Sequence, residues 1–311
     1  MMIERKFPAL LSALPALVFV SHLSPLAADC LTPGFSQTEL LELRANGFEL
    51  ENAERRNALG LALANCTGEP DPAIRDGVAF EGLSTWLTAD LLSAETVDAL
   101  RIELSAQLAA ESDSMTDEGF SRPFAALILS EVARTDRIEP AFTPEQRAEL
   151  VSVAAAYLAS VDDYRGFSET EGWRHGVAHG ADLVLQLVLN PQVSADQIEL
   201  LMDALARQVS PPGAVFYIYG EPSRLARAVF YAYARGVVEQ DYWSNWFQSI
   251  SSPGPLATWS DAFSSQAGLA RRHNTLAFLS AMYLNANSWS QPERENLSGL
   301  VIEAIEKIMS G

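Results

Sequence analysis

Helix-start signals recur along this chain in pairs, and that recurrence restricts the folds open to it more than any single motif does. Asp71 before Pro72, Ser93 before AETV, Ser121 before RPF, Thr143 in TPEQ, Ser168 in SETE, Ser194 in SADQ, Glu221 with Pro222 and Ser290 in SQPE each read as an N-cap or a first turn. Oxygens at such positions accept from amides that the first helical turn leaves without partners. Between the starts lie apolar residues at three- and four-residue spacing, as in Leu150, Val153, Ala154 and Leu158, or Leu200, Leu201 and Leu205, which is the helical period. Alternation of the β type is almost absent, and VFYIY at Val215 to Tyr219 is the only candidate strand.

The starts pair as 71 with 93, 121 with 143, 168 with 194, and 221 with a helix near Asp241, and successive first members stand 50, 47 and 53 residues apart. Such a period is slightly longer than the roughly 40 to 47 residues of HEAT and armadillo units. An irregular pair near 37–46 and 52–65 and a last pair near 258–286 and 291–309 would close the two ends. The expectation is an all-α domain of antiparallel helix hairpins, stacked as a HEAT/armadillo-like α-solenoid. Around twelve helices is also the count of a closed α/α toroid, which stays open as the alternative.

The first thirty residues have a different character. Arg5 and Lys6 precede an apolar run from Phe7 to Val20, and Ala27 and Ala28 precede Asp29, which is the pattern of a secretory signal peptide cleaved after Ala28. The run is shorter than the roughly 20 residues that span a bilayer, and Pro15 interrupts it. Asp29 directly before Cys30 argues against a lipid anchor. The expected organisation is therefore a signal peptide at 1–28 and a single helical-repeat domain at 29–311, periplasmic or secreted, with no membrane span after cleavage. In an oxidising compartment Cys30 and Cys66 would form a disulfide, worth about 4 kcal/mol in the chain-entropy model. A formal net charge of −19 repels phosphate backbones and anionic headgroups, so nucleic acid is not an expected partner.

Chemistry concentrates between Ser168 and Pro191. Read as one capped helix, this stretch carries a polar stripe of Glu171, His175, His179, Asp182 and Gln186 within an arc of about 80°. His175, His179 and Asp182 form a ligand set that suits a divalent metal such as Zn, Fe or Mn. The spacing is not HExxH, and three ligands on one helix need a further element, His273 or Glu171, to close a site. A second reading has Asp182 orienting His179 as a general base. Substrate would then be held by Arg165, Arg224 and the Tyr217 and Tyr219 loop, with Trp173 among the ligand-binding candidates. A third reading is structural: the stripe bonds to the loop at 163–166 and to Arg224 in the next repeat, because buried polar groups need partners. Trp243 and Trp246 read as core, and Arg271, Arg272 and His273 as a solvated patch. The acidic loop at 111–119 lacks EF-hand ligand spacing and reads as solvated. The aromatic loop at 210–222 reads as the border of a site.

The segment DYRGFSETEGWRHGVAHGADLVLQLVLNP resembles a bacterial family known as domain of unknown function 2785. Arg165, Gly166, Gly172, Trp173, His175, His179, Gly180, Ala181 and Asp182 carry the resemblance. Weaker echoes are SRPFAALIL, EPSRLARA and HNTLAFLSAMYL. The resemblance implies a helical-repeat domain and brings no established activity with it. No phosphate loop, CxxC or GxSxG elbow is present, which disfavours ATP, nicotinamide and thiol chemistry. The expected role is a binding scaffold for a protein, peptide or glycan. The runner-up is a metal-assisted or His-based hydrolase or lyase using His179 and Asp182.

Overall fold

The computed structural model of the protein describes residues 30, 35–110, 119–288, 290–291 and 294–311. The signal peptide expected at 1–28 and nearly all of the acidic loop at 111–119 lie outside the described residues. Among the described residues the chain is all-α apart from one small hairpin. Its helices are α1 Gln37–Ala45, α2 Ala53–Leu63, α3 Pro72–Ile74, α4 Glu81–Thr88, α5 Ala94–Ala109, α6 Ser121–Ile138 and α7 Pro144–Ser160. After the hairpin of β1 Phe167–Ser168 and β2 Gly172–Trp173 come α8 Gly176–Val188, α9 Ala195–Val209, α10 Glu221–Ala234, α11 Gln240–Ile250, α12 Gln266–Ser288 and α13 Arg294–Ser310. A π-helical turn, Arg75–Phe80, joins α3 to α4.

Most starts arise for the reason the sequence suggests. Asp71 accepts from the Ala73 amide with Pro72 in the first turn, and Ser93 accepts from Thr96. Thr143 with Gln146 and Ser194 with Gln197 form reciprocal capping boxes, which satisfy two orphan donors at each end. Ser121 is the first residue of α6.

The helices fall into two ranks. In the first, α4, α6, α8, α10 and α12 pack each against the next; in the second, α5, α7, α9, α11 and α13 do the same. Between the ranks lies an apolar layer that includes Leu129, Val184, Val229 and Phe278, all fully buried. Each such side chain contributes about 1.5–3 kcal/mol when removed from water. Trp243 and Trp246 are core, as expected. Cys30 and Cys66 are joined in a disulfide.

One buried ion pair ties the ranks together at α6 and α7, and its carboxylate also reaches the end of α8. Arg147 grips Asp136 with two bonds of 2.7 and 2.9 Å. The same carboxylate accepts from the amides of Ala141 and Phe142 and from Asn190, just after α8. Burial pushes the Asp136 carboxyl up, but these bonds outweigh it and hold it below its ordinary value.

Two expectations need correction. Ser168 to Pro191 is not one helix: Phe167 pairs with Trp173 and Ser168 with Gly172 in an antiparallel hairpin, and α8 begins only at Gly176. Gly172 (φ 77°) and His175 (φ 58°) both lie in the left-handed region, which a continuous right-handed helix forbids. The ladder extends through Arg174 N to Gly166 O and His175 N to Arg165 O, and Arg75 donates to Glu171 O at 2.7 Å. Tertiary bonds thus outcompete the local SETE cap. Likewise Val215–Tyr219 is not a strand: Tyr217 donates its amide to the Asn274 side chain instead of to a neighbouring strand.

Candidate functional site

The first rank and the hairpin enclose a cavity of about 750 Å³, within the range of roughly 300–1,000 Å³ typical of small-ligand pockets. Each successive element supplies part of its wall. Asp76 and Phe80 come from the π-helical turn, Glu81 from α4, and Phe124, Leu127, Ser130 and Glu131 from α6. Trp173 comes from the hairpin, His179, Asp182, Leu185 and Gln186 from α8, and Arg224 and Arg227 from α10. His175, at the joint between hairpin and α8, and Tyr219, just before α10, complete the wall.

Trp173 and the two imidazoles form a graded stack. The indole lies 4.7 Å from the His175 ring at an interplanar angle of 23°, and His175 lies 5.6 Å from His179. Phe167 and Tyr219 flank the indole at 5.1 and 5.8 Å. Trp173 remains 38% exposed, so it presents aromatic surface at the cavity mouth. Tyr219 fits there because position 166 is glycine: a Cβ on Gly166 would stand 2.0 Å from its ring.

His179 is buried, and its Nδ1 lies 3.1 Å from the Pro123 carbonyl. A carbonyl only accepts, so Nδ1 carries the hydrogen of the neutral ring and Nε2 keeps a lone pair. Burial, with charge repulsion from His175, Arg224 and Arg75, lowers its pKa to about 3. His175 is lowered to about 4, by burial and by Arg224, against a backbone hydrogen bond to Tyr219 that favours the charged ring. Both rings are therefore neutral near pH 7. Nε2 of His175 is buried and has no hydrogen-bond partner.

Asp182 pairs with Arg224 across α8 and α10. Burial nevertheless raises the Asp182 carboxyl above its ordinary value. Glu131 is raised as well, by burial first, with the negative charge of Asp182 adding to it and Arg134 opposing it. Two carboxyls with elevated proton affinity thus share the cavity with two neutral imidazoles.

Of the residues singled out from sequence, Trp173, His175, His179, Asp182, Gln186 and Arg224 come together here. The predicted link between Asp182 and Arg224 is present, joining α8 to α10. Arg165 is not in the wall: its side chain pairs with Asp163, and only its carbonyl reaches His175. Tyr217 is buried behind the loop, donating its hydroxyl to the Gln208 carbonyl, and Tyr219 takes the place expected for it. Glu171 sits in the hairpin turn, paired with Arg174. His273 stands exposed on α12 beside Phe216. The stripe therefore gains no fourth ligand from either, and among the described residues no group of three or more His, Cys, Asp or Glu side chains could hold a metal ion. Arg271 also departs from the solvated patch, because it is half-buried and donates to Ser252 O.

Sequence reasoning missed Asp76, Phe80, Phe124, Glu131 and Arg227. A signal for part of this set was present: Phe124, Leu127 and Glu131 fall at i, i+3 and i+7, one face of α6, so Glu131 is a lone carboxylate on an apolar stripe.

Fold and site together define a class of protein: an all-α chain of two helix ranks with a mixed aromatic and charged pocket set into one rank. The chain belongs to the family described as "Protein of unknown function (DUF2785)", whose model matches residues 104–284. That span holds most of the wall, from Phe124 to Arg227, and leaves out Asp76, Phe80 and Glu81. No curated protein and no solved structure matches the chain.

Proposed function

We propose that this is an exported binding protein, an open α-solenoid whose first-rank groove takes a glycan. Packing that runs from each helix of a rank to the next supports the open stack. The leader-like N-terminus and the Cys30–Cys66 bond support export. A protein or peptide partner is the less favoured occupant, because the cavity presents ring faces edged by polar groups, a pairing suited to the C–H faces and hydroxyls of sugars.

The observation that carries the reading is His175. It holds a left-handed backbone conformation that costs about 1–2 kcal/mol in a residue other than glycine, and its Nε2 is buried without a partner. The ring also lines the cavity wall, stacked on the partly exposed Trp173, so a sugar laid against the indole lies beside this imidazole.

Isothermal titration with neutral and acidic hexaoses tests this, using the wild type, Trp173→Ala and His175→Asn. Saturable binding that both variants weaken at an unchanged melting temperature supports the groove. If no hexaose binds, the reading fails. A second reading, hydrolysis or elimination, is favoured by Glu131 and Asp182, two carboxyls raised by burial in one cavity beside neutral imidazoles, since titratable groups perturbed by burial in a cleft mark acid–base sites. Chromatography of the hexaose after incubation separates the two: intact sugar leaves binding alone.

A further inference from the structure

The groove wall carries four carboxyls, Asp76, Glu81, Glu131 and Asp182, against two arginines, Arg224 and Arg227, so pairing decides which charge is left free. Overall, Asp and Glu outnumber Lys and Arg by 40 to 21. Three of the four wall carboxylates have an arginine of their own: Arg44 holds Glu81 with bonds of 2.8 and 2.9 Å, Arg75 holds Asp76 at 3.2 Å, and Arg224 holds Asp182. Glu131 lies in the combined field of Arg134 and Arg137. Arg227 is left over. It is exposed, lines the cavity, feels the field of Asp182, and makes no ion pair among the described residues. Arg224 also disfavours the charged form of both imidazoles.

From this arrangement we infer that the groove's ligand is an acidic saccharide, a uronic acid oligomer whose carboxylate is received by Arg227 while a sugar face lies against Trp173. The inference rests on the glycan reading and narrows it. Guanidinium and carboxylate match as two parallel hydrogen bonds, stronger than neutral ones and specific in geometry. Arg227 is a specificity residue here. Its side chain is exposed and makes no ion pair among the described residues, so its removal is expected to leave the groove intact.

The test pairs each of three acidic hexamers (α-1,4-galacturonate, β-1,4-mannuronate, β-1,4-glucuronate) with its carboxyl-reduced neutral counterpart. A hexapeptide of glutamate serves as a further anion. Binding is measured by calorimetry at low and high salt for the wild type, Arg227→Ala, Arg227→Lys and Trp173→Ala. At least one acidic hexamer is expected to bind about tenfold or more tighter than its neutral partner, as one charge-assisted contact implies. Salt should weaken that preference. Arg227→Ala should abolish it at an unchanged melting temperature, Arg227→Lys should keep part of it, and Trp173→Ala should weaken acidic and neutral sugars alike.

Equal binding of both members of every pair, or a preference that survives Arg227→Ala, overturns the inference and leaves the glycan groove standing. Glutamate hexapeptide binding as tightly as the best uronate overturns the saccharide assignment. If no hexamer of either kind binds, the inference and the groove reading fall together.

Discussion

His175 combines a left-handed backbone with a buried, unpartnered Nε2, and Asn is among the few residues that tolerate this backbone region. His175→Asn is therefore expected to keep stability within about 1 kcal/mol of wild type in urea unfolding while reducing ligand affinity, the trade expected of a strained functional position. A large loss of stability instead would make His175 a structural residue. The imidazoles also set a pH window. Both have folded pKa values below the ordinary 6.5, about 4 for His175 and about 3 for His179. The unfolded chain therefore takes up protons first, and stability that is present above pH 6.5 is lost as pH falls toward 4. Urea midpoints should drop between pH 7.5 and 5, and His179→Asn should flatten that slope. An unchanged slope would show that the rings are not buried neutral. His175, His179 and Asp182 were legible in the sequence because histidine is scarce in this chain, with 4 in 311 residues. Their geometry was not, because a positive φ is imposed by the hairpin and leaves no mark on residue identity.

Among the elements, the hairpin and the Asp136 junction do the most to place the groove. Capping boxes made α7 and α9 readable from four-residue strings, since the cap bonds are local. The same logic failed at SETE, where Arg75 bonding to Glu171 O recruits the segment into a hairpin. That partner is 96 positions away, so no local pattern reports it. Gly166 makes room for Tyr219, and Gly166→Ala should displace that ring, costing about 1–3 kcal/mol as overpacking does; it should also weaken ligand binding. Wild-type affinity in that variant would remove Tyr219 from the site. Asp136→Ala should cost about 3–5 kcal/mol in denaturant unfolding, because it leaves Arg147 charged, buried and unpaired. The Asp136 carboxyl is held below its ordinary value, so its contribution is present above the usual carboxylate range and fades as pH falls through it. A loss under 1 kcal/mol would mean that the junction is not what holds α6 to the end of α8.

For the whole molecule, the disulfide and the two ranks act at different ends. Cys66 is fully buried, and the bond ties residue 30 to the turn after α2. Cys30→Ser should lower stability by about 4 kcal/mol on the chain-entropy estimate, while the groove, built from Asp76 onward, keeps its affinity. Loss of binding in that variant would show that the N-terminal helices support the pocket. By itself the sequence determined the helical class, most helix starts, the pairing of cysteines and the histidine-bearing segment as the place to look. Each of these follows from interactions within a few residues or from residue types too rare to be incidental. Only the tertiary structure decided that Glu131, Asp76 and Arg227 share a cavity with the histidines, that Tyr219 and not Tyr217 faces it, and that the stripe begins in a hairpin. Those facts depend on how separate helices are rotated and stacked, and the energy that sets rotation comes from burial and ion pairs between residues far apart in the chain.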